Sequence, residues 1–469
     1  MKLEQIYTGC LAEAAYYIES NGEAVIIDPL RESSPYLERA AKDGAKIKYI
    51  FETHFHADFV SGHIDLAQKT GAEIVYGPTT METGFAKTVA KDGQVFKFGD
   101  VSLEVLHTPG HTMESSCFLL RDEQGKEVGV FTGDTLFIGD VGRPDLAQKV
   151  IAELTQDKLA RHLYNSLRNK LMPLADDIIV YPGHGQGSAC GKNMSSETTD
   201  TLGNQKRTNY ALQAMTEDEF VTQVLDGLTP PPGYFPQNVL LNIQGYESLD
   251  TVLEKGTQAL SPKEFELVAN ETEALIIDTR SKDAFRKGHI PNSIFIGVDG
   301  SFATWVGTLI PDVKQEILIV AEENRIEEVV TRLARVGYDN AKGYLKGGFE
   351  AWQAEGREVD TVNSVSVEEL AKLEKASIVD IRKASEYNSE HVVNAINAPL
   401  DYINESSKKL VDQTPYYVHC ASGYRSLVFI SILQSRGYRN LIDVMGGFKA
   451  MKASDKFDVS EYVCPTTLL

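Results

Sequence analysis

Thr53-His54-Phe55-His56-Ala57-Asp58-Phe59-Val60-Ser61-Gly62-His63 is the stretch whose reading decides the fold. It follows Ile47-Lys48-Tyr49-Ile50-Phe51, an apolar, β-branched and aromatic run that reads as a buried strand. Three histidines and a carboxylate thus share one loop at a strand end, where a rigid scaffold usually carries function. Three further stretches repeat the layout. Val101–Leu106 leads into His107-Thr108-Pro109-Gly110-His111. Val128–Phe131 leads into Thr132-Gly133-Asp134, and Ile178–Tyr181 leads into Pro182-Gly183-His184. Each is an apolar strand, a Gly-containing turn, then His or Asp. Four such loops point at one metal site, and strands alternating with helices give an α/β class.

This pattern resembles the metallo-β-lactamase fold over residues 1–240. The resemblance implies an αββα sandwich whose metal-site loops lie along one edge. Binuclear zinc hydrolases of that fold carry His-x-His-x-Asp-His. Here Phe59 stands at the last histidine, which leaves Asp58, His184 and a shared Asp134 at the second metal position unless His63 substitutes. A single metal on His54, His111 and Asp134 is therefore expected. Two histidines and one carboxylate leave three coordination positions open and suit non-haem Fe(II), although Zn²⁺ outcompetes Fe²⁺ at most N/O sites. His56, Asp58 and His184 are expected to orient the ligands or a bound oxygen species, with His56 a direct ligand in the alternative. Cys190 either faces a substrate channel and takes up persulfide sulfur or is buried as a small apolar residue. Arg143 either binds a carboxylate or phosphate of a carrier thiol or forms a structural ion pair. Tyr181 either covers the site or belongs to the core.

At 469 residues the chain is too long for one ordinary core. Its net charge of −21 argues against nucleic acid or an anionic membrane as partner. The five cysteines (Cys10, Cys117, Cys190, Cys420 and Cys464) are scattered without framework spacing, which suits a reducing cytoplasm. The N-terminal residues show no apolar h-region, and no stretch approaches the roughly 20 apolar residues of a membrane span.

Taken in order, Ala14–Ile18 and Ala24–Ile27 flank Asn21-Gly22 and predict a hairpin with a type I′ turn. Residues 35–42 predict a helix capped by Ser33 or Ser34, and residues 64–69 a helix stopped by Gly71. Another helix is expected from about Thr199 through Met215. Thr229-Pro230-Pro231-Pro232-Gly233 is the clearest breaker cluster, and 241–261 is expected to be a linker.

The remainder repeats with a period of about 100 residues, too long for a solenoid and right for a duplicated domain. Leu275-Ile276-Ile277-Asp278-Thr279-Arg280 matches Ser377-Ile378-Val379-Asp380-Ile381-Arg382, and Gly347-Gly348-Phe349 matches Gly446-Gly447-Phe448. The pair resembles tandem rhodanese domains, at 262–358 and 363–463. In the second copy, strand Tyr416–Val418 leads into His419-Cys420-Ala421-Ser422-Gly423-Tyr424-Arg425 and a helix. A cysteine entering a helix N-terminus sits among backbone N–H groups that stabilise a thiolate, and Arg425 is expected to grip an oxyanion. The resemblance implies that Cys420 carries a transferable sulfane sulfur. In the first copy Ile317–Val320 takes the place of strand and cysteine, and Glu322-Glu323-Asn324 fills the loop, so that copy is expected to be inactive.

The whole arrangement, with Gly139-Asp140-Val141-Gly142-Arg143-Pro144-Asp145 after the Asp134 turn, resembles bacterial persulfide dioxygenase–rhodanese fusions. The resemblance implies one Fe(II) per chain, oxidation of a thiol persulfide (of glutathione, bacillithiol or coenzyme A) by O₂ to sulfite, and sulfur transfer through Cys420 to sulfite, giving thiosulfate. A homo-oligomer is expected. The first rival reading is a thioesterase of the glyoxalase II kind with two zinc ions. The second is a sulfur carrier or sensor that uses Cys420 and Cys190 without turnover.

Overall fold

The computed structural model describes residues 1–146, 155–228, 230–410 and 414–464; Thr229, which opens the expected breaker cluster, lies outside the described residues. The chain divides into two units. The first takes in Met1–Thr251 with Pro311–Val313 and Thr331–Tyr338, and the second takes in the rest.

Among the described residues the first unit contains two six-stranded sheets. One orders β1 (Lys2–Thr8), β2 (Glu13–Ser20), β3 (Glu23–Ile27), β4 (Lys46–Glu52), β5 (Glu73–Tyr76) and β6 (Thr88–Val89) side by side. The other orders β7 (Val95–Phe98), β8 (Val101–His107), β9 (Ser116–Arg121), β10 (Glu127–Gly133), β11 (Ile179–Pro182) and β12 (Asp200–Thr201). Side chains alternate along a strand, so each sheet has an inner and an outer face. Tyr16, Val25, Ile27 and Phe51 of the first sheet pack on Val105, Phe118, Leu120 and Phe131 of the second. The outer face of the first sheet packs on Tyr36, Ala40 and Leu66 from helices Ser34–Asp43 and His63–Thr70. The outer face of the second packs on Leu163 and Phe220 from helices Gln156–Ser166 and Glu217–Leu225. The expected αββα sandwich is therefore present.

The hairpin turn has Asn21 and Gly22 both at positive φ, as a type I′ turn requires. Ser33 occupies the N-cap position without making a side-chain cap bond. The helix expected through Met215 stops at Thr208. Asn209 is extended there, and its side chain bonds the Ala211 N–H and starts a short 3₁₀ turn instead. The expected boundary at 240 falls inside helix Phe235–Gln244, which has an anchoring role in the first unit: Asn242 donates to the His56 and Phe59 carbonyls and accepts from the Ser61 N–H.

Among the described residues the second unit contains two five-stranded, all-parallel sheets of one topology. The first orders β13 (Ala259–Leu260), β17 (Ala341–Leu345), β16 (Ile317–Val320), β14 (Leu275–Asp278) and β15 (Ile294–Phe295). The second orders β18 (Ser364–Val365), β22 (Leu441–Val444), β21 (Tyr416–His419), β19 (Ser377–Asp380) and β20 (Ile396–Asn397). The shared strand order is the structural form of the repeat seen in the sequence. No described helix is long and apolar enough to cross a membrane.

Candidate functional site

Strand direction brings the four loops together. β3 and β4 run parallel, and so do β10 and β11, while β8 lies two antiparallel steps from β10 and shares its direction. Asp28, the 54–58 loop, His111, Asp134 and His184 all follow the C-terminal ends of these strands. His54, His111 and Asp134 present ligand atoms within 4.8 Å of one another, and Asp58, His184 and Cys190 do the same. All six residues are buried.

Hydrogen bonds fix which imidazole nitrogen each histidine offers. The His111 Nδ1–H donates to the Arg143 carbonyl at 2.9 Å, which leaves Nε2 as a lone pair 3.5 Å from Asp134 Oδ2. Gly142 makes that contact possible. A Cβ there would stand 2.0 Å from the Asp134 carbonyl oxygen and 3.0 Å from His111 Nδ1. The Thr53 hydroxyl gives its proton to Asp28 Oδ2 at 2.9 Å, so the His54 Nδ1–H donates to Thr53 Oγ1 at 2.9 Å and Nε2 is free. Burial, with the imidazoles of His56, His111 and His184 nearby, pushes the His54 pKa well below its usual range and keeps that lone pair. The His184 Nδ1–H donates to the Ala12 carbonyl, and its Nε2 lies 3.3 Å from Asp58 Oδ2 and 3.5 Å from Asp134 Oδ1.

Asp134 is 2% exposed, and neither of its carboxylate oxygens has a hydrogen-bond partner among the described residues. His184 Nε2 and Asp58 Oδ1 are in the same state. Buried polar atoms without partners are rare and costly. Carboxylate oxygens facing imidazole lone pairs form a donor set that fits a divalent transition metal.

Phe59 is completely buried, and its ring packs on His56 with centroids 4.3 Å apart. His63 does not take the missing ligand's place. Its Nδ1 faces Glu52 Oε1 at 3.6 Å, and its ring lies among Tyr76, Phe85 and Tyr246. Burial pushes the His63 pKa down to about 3. His56 is turned towards carboxylates, with Nε2 at 3.0 Å from Asp28 and 3.3 Å from Glu52. Burial disfavours its charge, but Asp28 and Glu52 outweigh burial and hold its pKa well above the usual imidazole range. His56 therefore supports His54 indirectly, through Asp28 and Thr53.

Arg143 takes the structural alternative. Its guanidinium, 4% exposed, makes a bidentate pair with Asp145 at 2.7 Å and bonds the Ala189 carbonyl, so it is not presented to a carrier thiol. Cys190 is buried beside Asp58 and His184; burial, with Asp58 and Asp134 adding repulsion, raises its pKa well above the usual thiol range. Tyr181 stacks on Phe131 at 5.0 Å, a core position. Sequence reasoning missed Asp28 and Glu52, which hold His56, and the buried Glu13. Asp28 had a readable signal, since it ends an apolar strand in the same layout as the four loops. Glu13 had none; it is buried with both oxygens unpartnered, and burial pushes its pKa well above the carboxylate range.

In the second unit Cys420 is 1% exposed and follows β21. The Gly423 N–H donates to Cys420 Sγ at 3.1 Å, and Gly423 takes φ +95°, which the loop needs in order to curl around the sulfur. Arg425 is not free to grip an oxyanion as expected, because Glu386 binds it bidentately at 2.6 and 2.8 Å. In the first copy Val320 pairs with Asp278 as His419 pairs with Asp380, so Ala321 stands at the cysteine position. A cavity of about 340 Å³ there is lined by Ala321, Glu322, Glu323 and Glu350.

Family comparisons agree with this division. The family model described as metallo-beta-lactamase superfamily matches residues 8–184, and the rhodanese-like domain matches 261–355 and 366–454. A crystal structure of a metallo-beta-lactamase from Staphylococcus aureus subsp. aureus COL superposes with TM-score 0.64 and 32% identity, covering 74% of this chain and 98% of that one. The probable hydroxyacylglutathione hydrolase glo2 of Schizosaccharomyces pombe is 35% identical over 34% of this chain and 57% of its own length. The human mitochondrial persulfide dioxygenase ETHE1 is 33% identical over 34% of this chain and 59% of its own length. The chain thus spans less than two thirds of either of these curated relatives.

Proposed function

The chain belongs to the metallo-β-lactamase superfamily and carries two rhodanese-like domains behind that N-terminal domain, and on that footing we propose that it is a persulfide dioxygenase with a sulfurtransferase on one polypeptide. The net reaction takes a low-molecular-weight thiol persulfide, one O₂ and one water to the free thiol, sulfite and two protons. The carrier is the persulfide of glutathione, bacillithiol or coenzyme A. One Fe(II) per chain on His54, His111 and Asp134 would supply vacant positions for dioxygen and the substrate's outer sulfur.

The chain's own residues prepare that centre. The Arg143 carbonyl and the Thr53–Asp28 pair lock His111 and His54 with Nε2 presented. Phe59 puts a hydrocarbon ring at the motif position of an imidazole and packs it on His56, which favours one ion over two. Cys420 then moves the second sulfur. Its thiolate attacks the outer sulfur of a persulfide, the donor S–S bond breaks and the carrier thiolate leaves. The sulfur lone pair of sulfite attacks the outer sulfur of the Cys420 persulfide, releasing thiosulfate and restoring the thiolate. Having both sites on one chain raises the local sulfite concentration. A reducing cytoplasm and a homo-oligomer belong to the same reading.

The observation that carries this reading is the buried, unpartnered Asp134 carboxylate facing two fixed imidazole lone pairs, together with a phenylalanine at the motif position where a second metal would need histidine. The test is oxygen uptake with the three persulfides on protein of measured metal content. Uptake is expected with one iron per chain and is expected to vanish in His111→Ala; uptake that survives His111→Ala refutes the ligand assignment.

One observation favours the rival binuclear zinc thioesterase. Asp58, His184 and Cys190 lie within 4.8 Å of one another, so Cys190 supplies a third donor where the histidine is missing. That reading expects two zinc ions per chain and thioester cleavage without oxygen uptake.

A further inference from the structure

The cysteine-less rhodanese copy touches the cysteine loop of the active one. Lys282 Nζ donates to the Ser422 carbonyl at 3.0 Å. Arg286 donates to Asp443 Oδ2 at 2.9 and 3.3 Å. The Tyr424 hydroxyl donates to the Gly297 carbonyl at 2.8 Å, and its ring packs on Phe295.

The first contact has a direct geometric effect on the sulfur. Ser422 C=O and Gly423 N–H belong to one planar trans peptide and point in opposite directions. Lys282 holds the carbonyl end. The amide end is then aimed at Cys420 Sγ, 3.1 Å away. The second contact works through a side chain. Asp443 is completely buried and accepts the Ser426 hydroxyl proton at 2.7 Å on its other oxygen. Ser426 Oγ lies 3.9 Å from Cys420 Sγ, where it can accept from the thiol S–H. Without Arg286, Asp443 would be a buried carboxylate lacking its cation. Other polar groups around the sulfur are already engaged: Arg425 is held by Glu386, and the His419 Nδ1–H donates to the Cys420 carbonyl.

We propose that the first rhodanese-like copy is a positioning module for Cys420, with Lys282 orienting the Gly423 N–H at the sulfur anion and Arg286 holding the Asp443–Ser426 pair. The inference rests on the sulfur-transfer reading of Cys420 above. Its role lies in both half-reactions, because negative charge sits on Cys420 Sγ in the attacking thiolate and returns to Sγ as the outer sulfur is taken from the persulfide. With thiosulfate as donor, the Cys420 thiolate attacks the outer sulfur, the S–S bond breaks and sulfite leaves with the electron pair. Cyanide then takes the outer sulfur as thiocyanate, and the thiolate returns.

The test uses the full chain without oxygen, with thiosulfate and cyanide, in wild type, Cys420→Ser, Lys282→Met, Lys282→Arg, Arg286→Met and Lys287→Met. Lys282→Met is expected to lower kcat about tenfold, the scale of one hydrogen bond to a charged group, with little change in KM. It should also slow iodoacetamide alkylation of Cys420 by a similar factor. Lys282→Arg, which still donates to a carbonyl, should restore most of both rates. Arg286→Met should lower kcat in the same direction, and exposed Lys287→Met should change nothing. Unchanged kcat and alkylation in Lys282→Met, with activity that still depends on Cys420, would overturn the positioning role and leave the sulfur-transfer reading intact. A wild type that transfers no sulfur, or a Cys420→Ser variant that transfers it normally, would instead sink the reading beneath it.

Discussion

Asp134→Asn separates two effects that a metal site normally confounds. In the metal-free protein, Asp134 is an ionisable group 2% exposed, with no hydrogen-bond partner on either oxygen. Burying a polar group in that state costs about 1–3 kcal/mol, and more when it is charged. The amide removes the charge at nearly constant volume, so metal-free Asp134→Asn is expected to be as stable as metal-free wild type or more stable. With metal the order reverses. A ligand at roughly 1,000 times its Kd stabilises the folded state by about 4 kcal/mol. For a unit of this size that corresponds to roughly 8–16 °C in Tm, at about 2–4 °C per kcal/mol. Scanning calorimetry on chelator-treated and metal-loaded protein, following the transition of the first unit, reads both quantities. Wild type should show the upward shift on loading and Asp134→Asn little or none. A metal-free variant that melts clearly below metal-free wild type would mean that the carboxylate stabilises the fold by itself, and the inference of a cation from its orphaned oxygens would fail.

Two other expectations follow from the groups behind the ligands. Thr53→Val removes the hydroxyl that bridges His54 and Asp28; metal affinity should fall about 10–100-fold in a competition titration while the fold persists, and unchanged affinity would remove the bridge from the site. His63→Phe should flatten the acid limb of the stability curve. Burial lowers the His63 pKa to about 3 from its ordinary 6.5, so between those pH values the unfolded chain binds a proton that the folded chain does not, and stability falls as pH drops. At pH 5 the difference amounts to about 2 kcal/mol, measurable by urea unfolding at pH 7 and pH 5; an acid limb as steep in His63→Phe as in wild type would contradict this account.

Much of the candidate site was legible because its residues follow a local rule. Each of His54, His111, Asp134 and His184 stands a few positions beyond an apolar strand, and strands of one direction end on one edge. Phe59 could be recognised as a missing ligand for the same reason, by its place in a short motif. The misplaced expectation for Arg425 concerns a partner distant in sequence: it stands where an anion site would need it, but Glu386, 39 residues away, holds it. For Arg143 the adjacent Asp145 decided between the two readings that the sequence left open. His63 sits near the gap in sequence, yet the start of its helix turns it towards Glu52 and three aromatic rings.

From the sequence alone came the α/β class, the duplicated C-terminal domain, the loss of a cysteine from the first copy and the convergence of four metal-type loops. Those features are written in periodicity and short spacings, which the backbone translates directly into strands and turns. Only the tertiary structure decided which nitrogen each histidine presents, that Asp28 and Thr53 stand behind His54, and that Lys282 reaches a carbonyl 140 residues away beside Cys420. Hydrogen bonds and ion pairs of that kind depend on how whole layers pack, and packing brings together residues whose separation along the chain carries no signal.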